Sequence, residues 1–216
     1  LSVVEQAGLS VSLGSAVLRM ACWAARSWLD AGLLPGPVAV NVSAKEIGSG
    51  QLPAMVREAL EAAQLPPHYL MLELTETALG ANPATAQPAV EELHAMGVQL
   101  ALDDFGTGLS SLSRLQRLPV SLLKIDGSFT RNLGDLPECQ TIVSGIVSVA
   151  KTLHIPVLAE GVETHEDLRT LSALGCYAYQ GYLEAPPLVE EDMTRMLTHA
   201  AQRRSPGSSA TALPSA

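Results

Sequence analysis

The residues best suited to chemistry are mostly carboxylates, and each one closes or adjoins a short apolar run. Asn41 ends Val38–Asn41, Glu73 ends Tyr69–Glu73, and Asp103 ends Gln99–Asp103 with Asp104 next in line. Lys124 lies in Ser121–Ile125, Glu160 ends Pro156–Glu160, and Gln180 lies in Tyr177–Gly181. If these runs are strands of a barrel, their C-terminal ends converge on one face, which is where such barrels do chemistry. Contact with water could make one or two strand ends polar, but it does not account for six. Glu73, Asp103, Asp104 and Glu160 would crowd one mouth, with Glu76 and Glu163 close behind. Like charges so close raise one another's pKa, and divalent cations relieve that cost. An all-oxygen donor set without paired His or Cys selects a hard ion, Mg2+ or Mn2+, with Ca2+ as a non-productive substitute. The adjacent pair Asp103-Asp104 could bridge or divide two metals, an arrangement suited to in-line displacement at phosphorus. Lys124 on the same face could stabilise a phosphate oxygen or hold an attacking water. Glu160 could be a ligand or a general base.

Behind these residues, strand-length and helix-length segments alternate. The strand-length runs are almost continuously apolar (Val157-Leu158-Ala159, for example), as in strands covered on both faces. The longer segments have helical period. Leu13, Val17, Met20, Ala24, Trp28 and Ala31 recur at three- and four-residue steps, as do Ile142, Ile146, Val149 and Leu153. These stripes, with Trp23 and Trp28 on or beside the first, are expected to face the core. Leu168, Leu171 and Leu174 form a further helix, with a capping box at Thr164–Asp167 and Gly175 as its C-cap. Another helix is expected over Ala86–Met96, with Pro88 in its first turn. Strand–helix alternation means parallel βαβ units. Six units fall short of the eight of a (β/α)8 TIM-like barrel, which takes about 250 residues. The expectation is therefore an α/β barrel over residues 1–201 that lacks one or two N-terminal strands, followed by a disordered tail over 202–216.

Bulk composition limits the alternatives. The chain has 216 residues, 47% hydrophobic and 16% charged, enough for a sizeable core. A net charge of -9 argues against a polymeric nucleic acid partner, which needs clustered Lys and Arg. No apolar run reaches membrane-spanning length. Cys22, Cys139 and Cys176 fit no zinc spacing and read as buried thiols of a reducing, cytoplasmic compartment. The five histidines show no metal-binding spacing and are expected at the surface or at caps.

At the same residues the sequence resembles the EAL family of cyclic di-GMP phosphodiesterases. The matching motifs are Asn41-Val42-Ser43-Ala44, Glu73-Leu74-Thr75-Glu76, Asp103-Asp104-Phe105-Gly106-Thr107-Gly108, Lys124-Ile125-Asp126, Ala159-Glu160-Gly161-Val162-Glu163 and Gln180-Gly181-Tyr182. They occur in family order and spacing, from about Leu1 to Leu188. The resemblance implies metal-dependent hydrolysis of cyclic di-GMP to linear pGpG. Asn41, Glu73, Asp103 and Asp104 would be metal ligands, and Glu160 a ligand or base. Lys124 would position the hydrolytic water. Glu76 would anchor the Gly-rich loop after Asp104, which in this family links the site to a homodimer interface. Gln180, Glu163 and Asp126 would lie on the substrate side or behind the ligands. The family often carries an upstream sensory or cyclase-like domain. Three departures stand out. The Glu-Ala-Leu segment is absent from the chain, Gly127 replaces a common Arg, and Pro186 stands where the family usually has Arg. Two rivals remain at this stage. One is a catalytically inactive cyclic di-GMP receptor or protein-interaction module. The other is a lyase with Lys124 as Schiff-base amine, disfavoured because surrounding carboxylates raise a lysine's pKa.

Overall fold

A computed structural model describes residues 10–33, 36–107, 115–131, 133–134 and 136–204. Six strands form one parallel sheet: β1 Val38–Val42, β2 Leu70–Thr75, β3 Gln99–Phe105, β4 Leu122–Ile125, β5 Val157–Ala159 and β6 Ala178–Tyr179. Their spatial order follows the chain order without reversal. That is the winding of a barrel, since a doubly wound sheet reverses direction at a switch point. All six expected strands are present, with ends displaced by one or two residues.

The pairing register explains how the polar strand ends come together. Asn41 pairs with Glu73, Glu73 with Ala101, Ala101 with Leu122, Lys124 with Leu158, and Leu158 with Ala178. Paired residues share a face and side chains alternate along a strand. Asn41, Glu73, Asp103 and Lys124 therefore share one face, and Glu160 and Gln180 continue it just past the ends of β5 and β6. The opposite face carries Val40, Val42, Leu70, Leu72, Leu74, Leu100, Leu102, Leu123, Ile125, Val157 and Ala159, all buried in the main apolar core against the helices.

The helices are α1 Ser10–Asp30, α2 Ala44–Gly48, α3 Leu52–Ala63, α4 Glu76–Ala81, α5 Pro83–Ala95, α6 Gly127–Thr130, α7 Pro137–Thr152, α8 His165–Leu174 and α9 Glu190–Arg204. Helix α8 has its expected caps: Thr164 Oγ1 accepts from the Asp167 N–H, and Gly175 is left-handed. The Asp167 carboxylate departs from a reciprocal box. It accepts instead from Thr164 Oγ1 at 2.6 Å and from the Leu133 N–H at 2.8 Å, tying α8 to the segment after α6.

Several expectations are corrected. Helix α1 buries Leu18, Cys22 and Ala25, whereas Leu13, Val17, Met20 (72% exposed) and Trp23 (56% exposed) face outward. Trp28 is half-buried and donates to Thr194 Oγ1 of α9 at 2.8 Å. Helix α7 likewise buries Val143, Val147 and Ala150, with Ile142 exposed. Both helices are apolar on more than one side, so period alone does not choose the inner face. Helix α5 starts at Pro83, which takes the first-turn position, and Pro88 lies in the interior. The loss of one helical hydrogen bond there is offset by burial of Ala86, Ala89, Val90 and Leu93. Helix α9 keeps Gln202, Arg203 and Arg204 helical, beyond the expected boundary at 201, and residues 205–216 lie outside the described set. The expected surface placement of the histidines holds, as all five are exposed. Cys22 is buried, and Cys139 and Cys176 are half-buried, all three as free thiols.

Candidate metal centre

Strand β1 delivers Asn41 to the rim, and a cap fixes the turn that follows. Ser43 caps α2, and the Glu46 carboxylate accepts from the Ser43 N–H at 2.8 Å to complete a capping box. Glu46 is buried against α1 at Gly14, where any Cβ would overlap its carboxylate. Glycine at 14 is thus what lets the cap behind Asn41 form.

Strand β3 solves a geometric problem. Neighbouring residues on a strand point to opposite faces, yet Asp103 and Asp104 are both wanted at one rim. Between Leu102 and Phe105 the β3–β4 register slips, and two residues of β3 oppose one of β4. This is a β-bulge, a device that re-aims side chains. Asp104 takes a left-handed backbone at φ 54, a conformation that costs a non-glycine residue about 1–2 kcal/mol. One carboxylate oxygen each from Asp103, Asp104 and Glu160 then lies within 4.8 Å of the others.

Lys124 holds the ring from inside. Its Nζ is 2.6 Å from Glu160 Oε1, 2.8 Å from Glu73 Oε2 and 2.9 Å from Asp103 Oδ1. The residue is 2% exposed, and Glu73 and Asp103 are both buried at 8%. Burial alone would lower the lysine's pKa, but Glu160, Glu73 and Asp103 more than offset it and hold the amine above its ordinary value. A lysine so firmly protonated is no Schiff-base nucleophile, which removes the lyase reading. One ammonium facing three carboxylates leaves two negative charges in excess, and Asp104 adds a third. The strain shows at two groups. Glu160 is pushed above its ordinary pKa by burial and by repulsion from Asp103 and Glu73, against the pull of Lys124. Asp104 is pushed up by burial, then by Asp103 and Asp126, with Lys124 opposing. Asp103 Oδ1 is buried, and it shares the Lys124 ammonium with Glu73 and Glu160. An excess of negative charge and three converging carboxylates fit a hard divalent cation.

The other sequence candidates lie around this ring. Gln180 is exposed beyond β6, with its N–H on the Ala159 carbonyl at 2.8 Å. Glu76 opens α4 directly after β2. Glu163 is exposed and sits 3.7 Å from Arg131 Nε. Asp126 caps α6, accepting from the Ser128 N–H at 2.9 Å. Hydrogen bonding from Ser128, above all, holds its carboxyl below the ordinary value against burial, with Gly127 and Arg131 adding to the effect. From residue 108 onward the Gly-rich loop lies outside the described residues, as does the interface expected there. Two residues went unforeseen. Buried Thr130 donates its hydroxyl to the Glu160 carbonyl and so pins the end of β5. Arg131 stands at the rim with no sign in the sequence, in room left by the glycine at 161.

Comparison with known proteins agrees with this geometry. The EAL domain family model matches residues 1–187. The bifunctional diguanylate cyclase/cyclic di-GMP phosphodiesterase MucR of Pseudomonas aeruginosa is 42% identical over 193 residues, which is 89% of this chain and 28% of MucR. The cyclic di-GMP phosphodiesterase NbdA of the same organism is 42% identical over 188 residues, 87% of this chain and 24% of NbdA. The chain thus spans about a quarter of the length of these relatives. Among solved structures, the PaMucR phosphodiesterase in complex with c-di-GMP superposes with a TM-score of 0.85 at 41% identity, covering 89% of this chain and 78% of that one. The EAL domain of Mycobacterium smegmatis DcpA gives 0.82 at 35% identity, covering 88% and 86%.

Proposed function

The chain belongs to the EAL domain family, and from that membership we propose that it hydrolyses cyclic di-GMP to linear pGpG with Mg2+ or Mn2+. The observation that carries this reading is the convergence of one carboxylate oxygen each from Asp103, Asp104 and Glu160, all within 4.8 Å of one another. Asp103, Asp104 and Glu160 would hold the metal ions, with Glu73 and Asn41 beside them on the same sheet face. When bound, such ions supply a water of lowered pKa and neutralise charge at the phosphoryl oxygens.

The chain's own residues supply the rest. Lys124 keeps Glu73, Asp103 and Glu160 in one array and stays protonated, so its part is electrostatic orientation. Glu160, at the end of β5 and 2.6 Å from Lys124 Nζ, is placed to orient or deprotonate an attacking water. Thr130, through the Glu160 carbonyl, keeps that carboxylate in position. Asp104, exposed at the rim, reaches the side from which substrate arrives. Gln180, Glu163 and Asp126 would frame the substrate side, and Glu76 opens α4 directly after β2, the strand that carries Glu73. The protein would act in the bacterial cytoplasm as one module of a longer signalling protein. Among the described residues, no helix is long and apolar enough to cross a membrane.

The test is turnover of cyclic di-GMP by the full-length protein, read as linear product with Mn2+, with EDTA, and for Asp103→Asn. Product formed only with the metal and the native Asp103 supports the reading. Tight binding with no product over hours would replace it with a receptor.

A further inference from the structure

The metal ring is rich in negative charge, and its lysine is committed to three carboxylates. Bound divalent cations would serve the phosphate at the ring, whereas the second phosphate of a dianionic dinucleotide needs a cation that is not already committed. Arg131 meets that need by position. It follows α6 directly, and α6 itself begins two residues after β4, the strand that carries Lys124. Its side chain runs along the contact between Gly127 and Gly161. A Cβ at Gly161 would come 3.1 Å from the Gly127 Cα and 3.2 Å from Arg131 Nε. A Cβ at Gly127 would come 3.7 Å from Arg131 Nε. The Gly127 distance is ordinary contact, so it is glycine at 161 that leaves open the slot in which the arginine lies, immediately beside Glu160. The guanidinium is not used up there. Its ion pair is with Glu163 at 3.7 Å, and both side chains are more than half exposed, so the pair gives little energy and yields easily to a stronger anion.

We propose that Arg131 binds a phosphate of the cyclic dinucleotide, from a slot that glycine at 161 opens at the rim of the metal ring. The proposal rests on the phosphodiesterase reading above. A guanidinium suits the role because it offers paired donors to phosphate oxygens and stays charged at all working pH values. It pairs with Glu163 and none of the ring carboxylates, so the phosphate it holds is the one away from the metal ligands. Arg131 is accordingly a binding and specificity residue, with the proton chemistry left to Glu160.

The experiment compares wild type, Arg131→Ala and Arg131→Lys in the full-length protein. Two quantities are read: steady-state turnover of cyclic di-GMP with Mn2+, and its binding with Ca2+ in place of Mn2+ over a range of salt. Losing one charge-assisted phosphate contact should raise KM about tenfold or more. The kcat should change by less than about twofold and the melting temperature should stay put, since uniform binding is what is lost. Arg131→Lys should recover part of the loss. Arg131→Ala should also bind with a weaker salt dependence, which a purely structural residue would not alter. Wild-type KM and wild-type salt dependence in Arg131→Ala would overturn the proposal, as would a loss that appears only together with a lower melting temperature. If wild type binds without turnover, the binding arm still decides on Arg131. If wild type neither binds nor hydrolyses the dinucleotide, the phosphodiesterase reading falls and this proposal with it.

Discussion

Replacing Lys124 by Met keeps the length of the side chain and removes its charge. Three carboxylates then face one another, Glu73 and Asp103 nearly buried and Glu160 partly so, with no cation between them. Removing one partner from a buried ion pair costs about 3–5 kcal/mol, because the charge left behind has lost its compensation. The upper part of that range applies here, since one ammonium serves three groups. In a domain of this size each kcal/mol moves the melting temperature by about 2–4 °C, so a cost of about 4–5 kcal/mol should make Lys124→Met melt about 8–20 °C below wild type in EDTA near neutral pH. Two features separate this account from a simple packing defect. The deficit should shrink as the pH falls and the stranded carboxylates take up protons. It should also shrink when Mn2+ is added, because a divalent cation can supply the missing charge. The assay is thermal unfolding of both proteins at several pH values, with EDTA or Mn2+. A Lys124→Met variant that melts with wild type in EDTA, or whose deficit ignores both pH and metal, would refute the reasoning.

Three further outcomes follow from the same geometry. Asp104→Gly and Asp104→Ala should both lose metal-dependent activity. In EDTA, denaturant titration should find the glycine variant more stable than the alanine one by about 1–2 kcal/mol, because only glycine takes the left-handed backbone without penalty. Gly161→Ala should lower stability by about 1–3 kcal/mol in chemical denaturation, from the strained positive φ and the close Gly127 Cα. Glu160 has its pKa raised on folding, so the stability it contributes is complete below its unfolded value and is lost as the pH rises through the folded one. Metal-free Glu160→Gln should therefore gain stability relative to wild type as the pH rises from below the ordinary carboxylate value to neutrality and above, and a gain in the opposite direction would contradict the sign of the shift.

Much of this architecture was legible in the residues themselves. An apolar run ending in a polar residue marks both a strand and the face its last side chain joins, so Asn41, Glu73, Asp103, Lys124 and Glu160 could be gathered from spacing alone. The register bears out that gathering, because parallel pairing keeps the alternation in phase from β1 to β6. What spacing could not supply is three-dimensional detail within a turn of chain. Strict alternation sends Asp104 to the wrong face, and only a bulge with left-handed backbone returns it, a departure that no propensity marks at an aspartate. The inner side of α1 was misjudged for a different reason. Leu13, Val17, Met20 and Trp23 are as apolar as Leu18, Cys22 and Ala25, so the choice between them is made by the sheet the helix lands on. Lys124 was visible as a rim residue. Its commitment to three carboxylates emerges only from distances, and the room for Arg131 only from the glycine at 161, distant from it in the chain.

The claim on which the account stands is that these carboxylates gather around bound cations. Diffraction from crystals soaked in manganese, recorded for anomalous signal, tests it most directly. The account predicts a peak in contact with Asp103, Asp104 and Glu160, with Asp103 Oδ1 among the ligating atoms. Full manganese loading elsewhere in the crystal, with those three side chains turned apart and no peak between them, would contradict it.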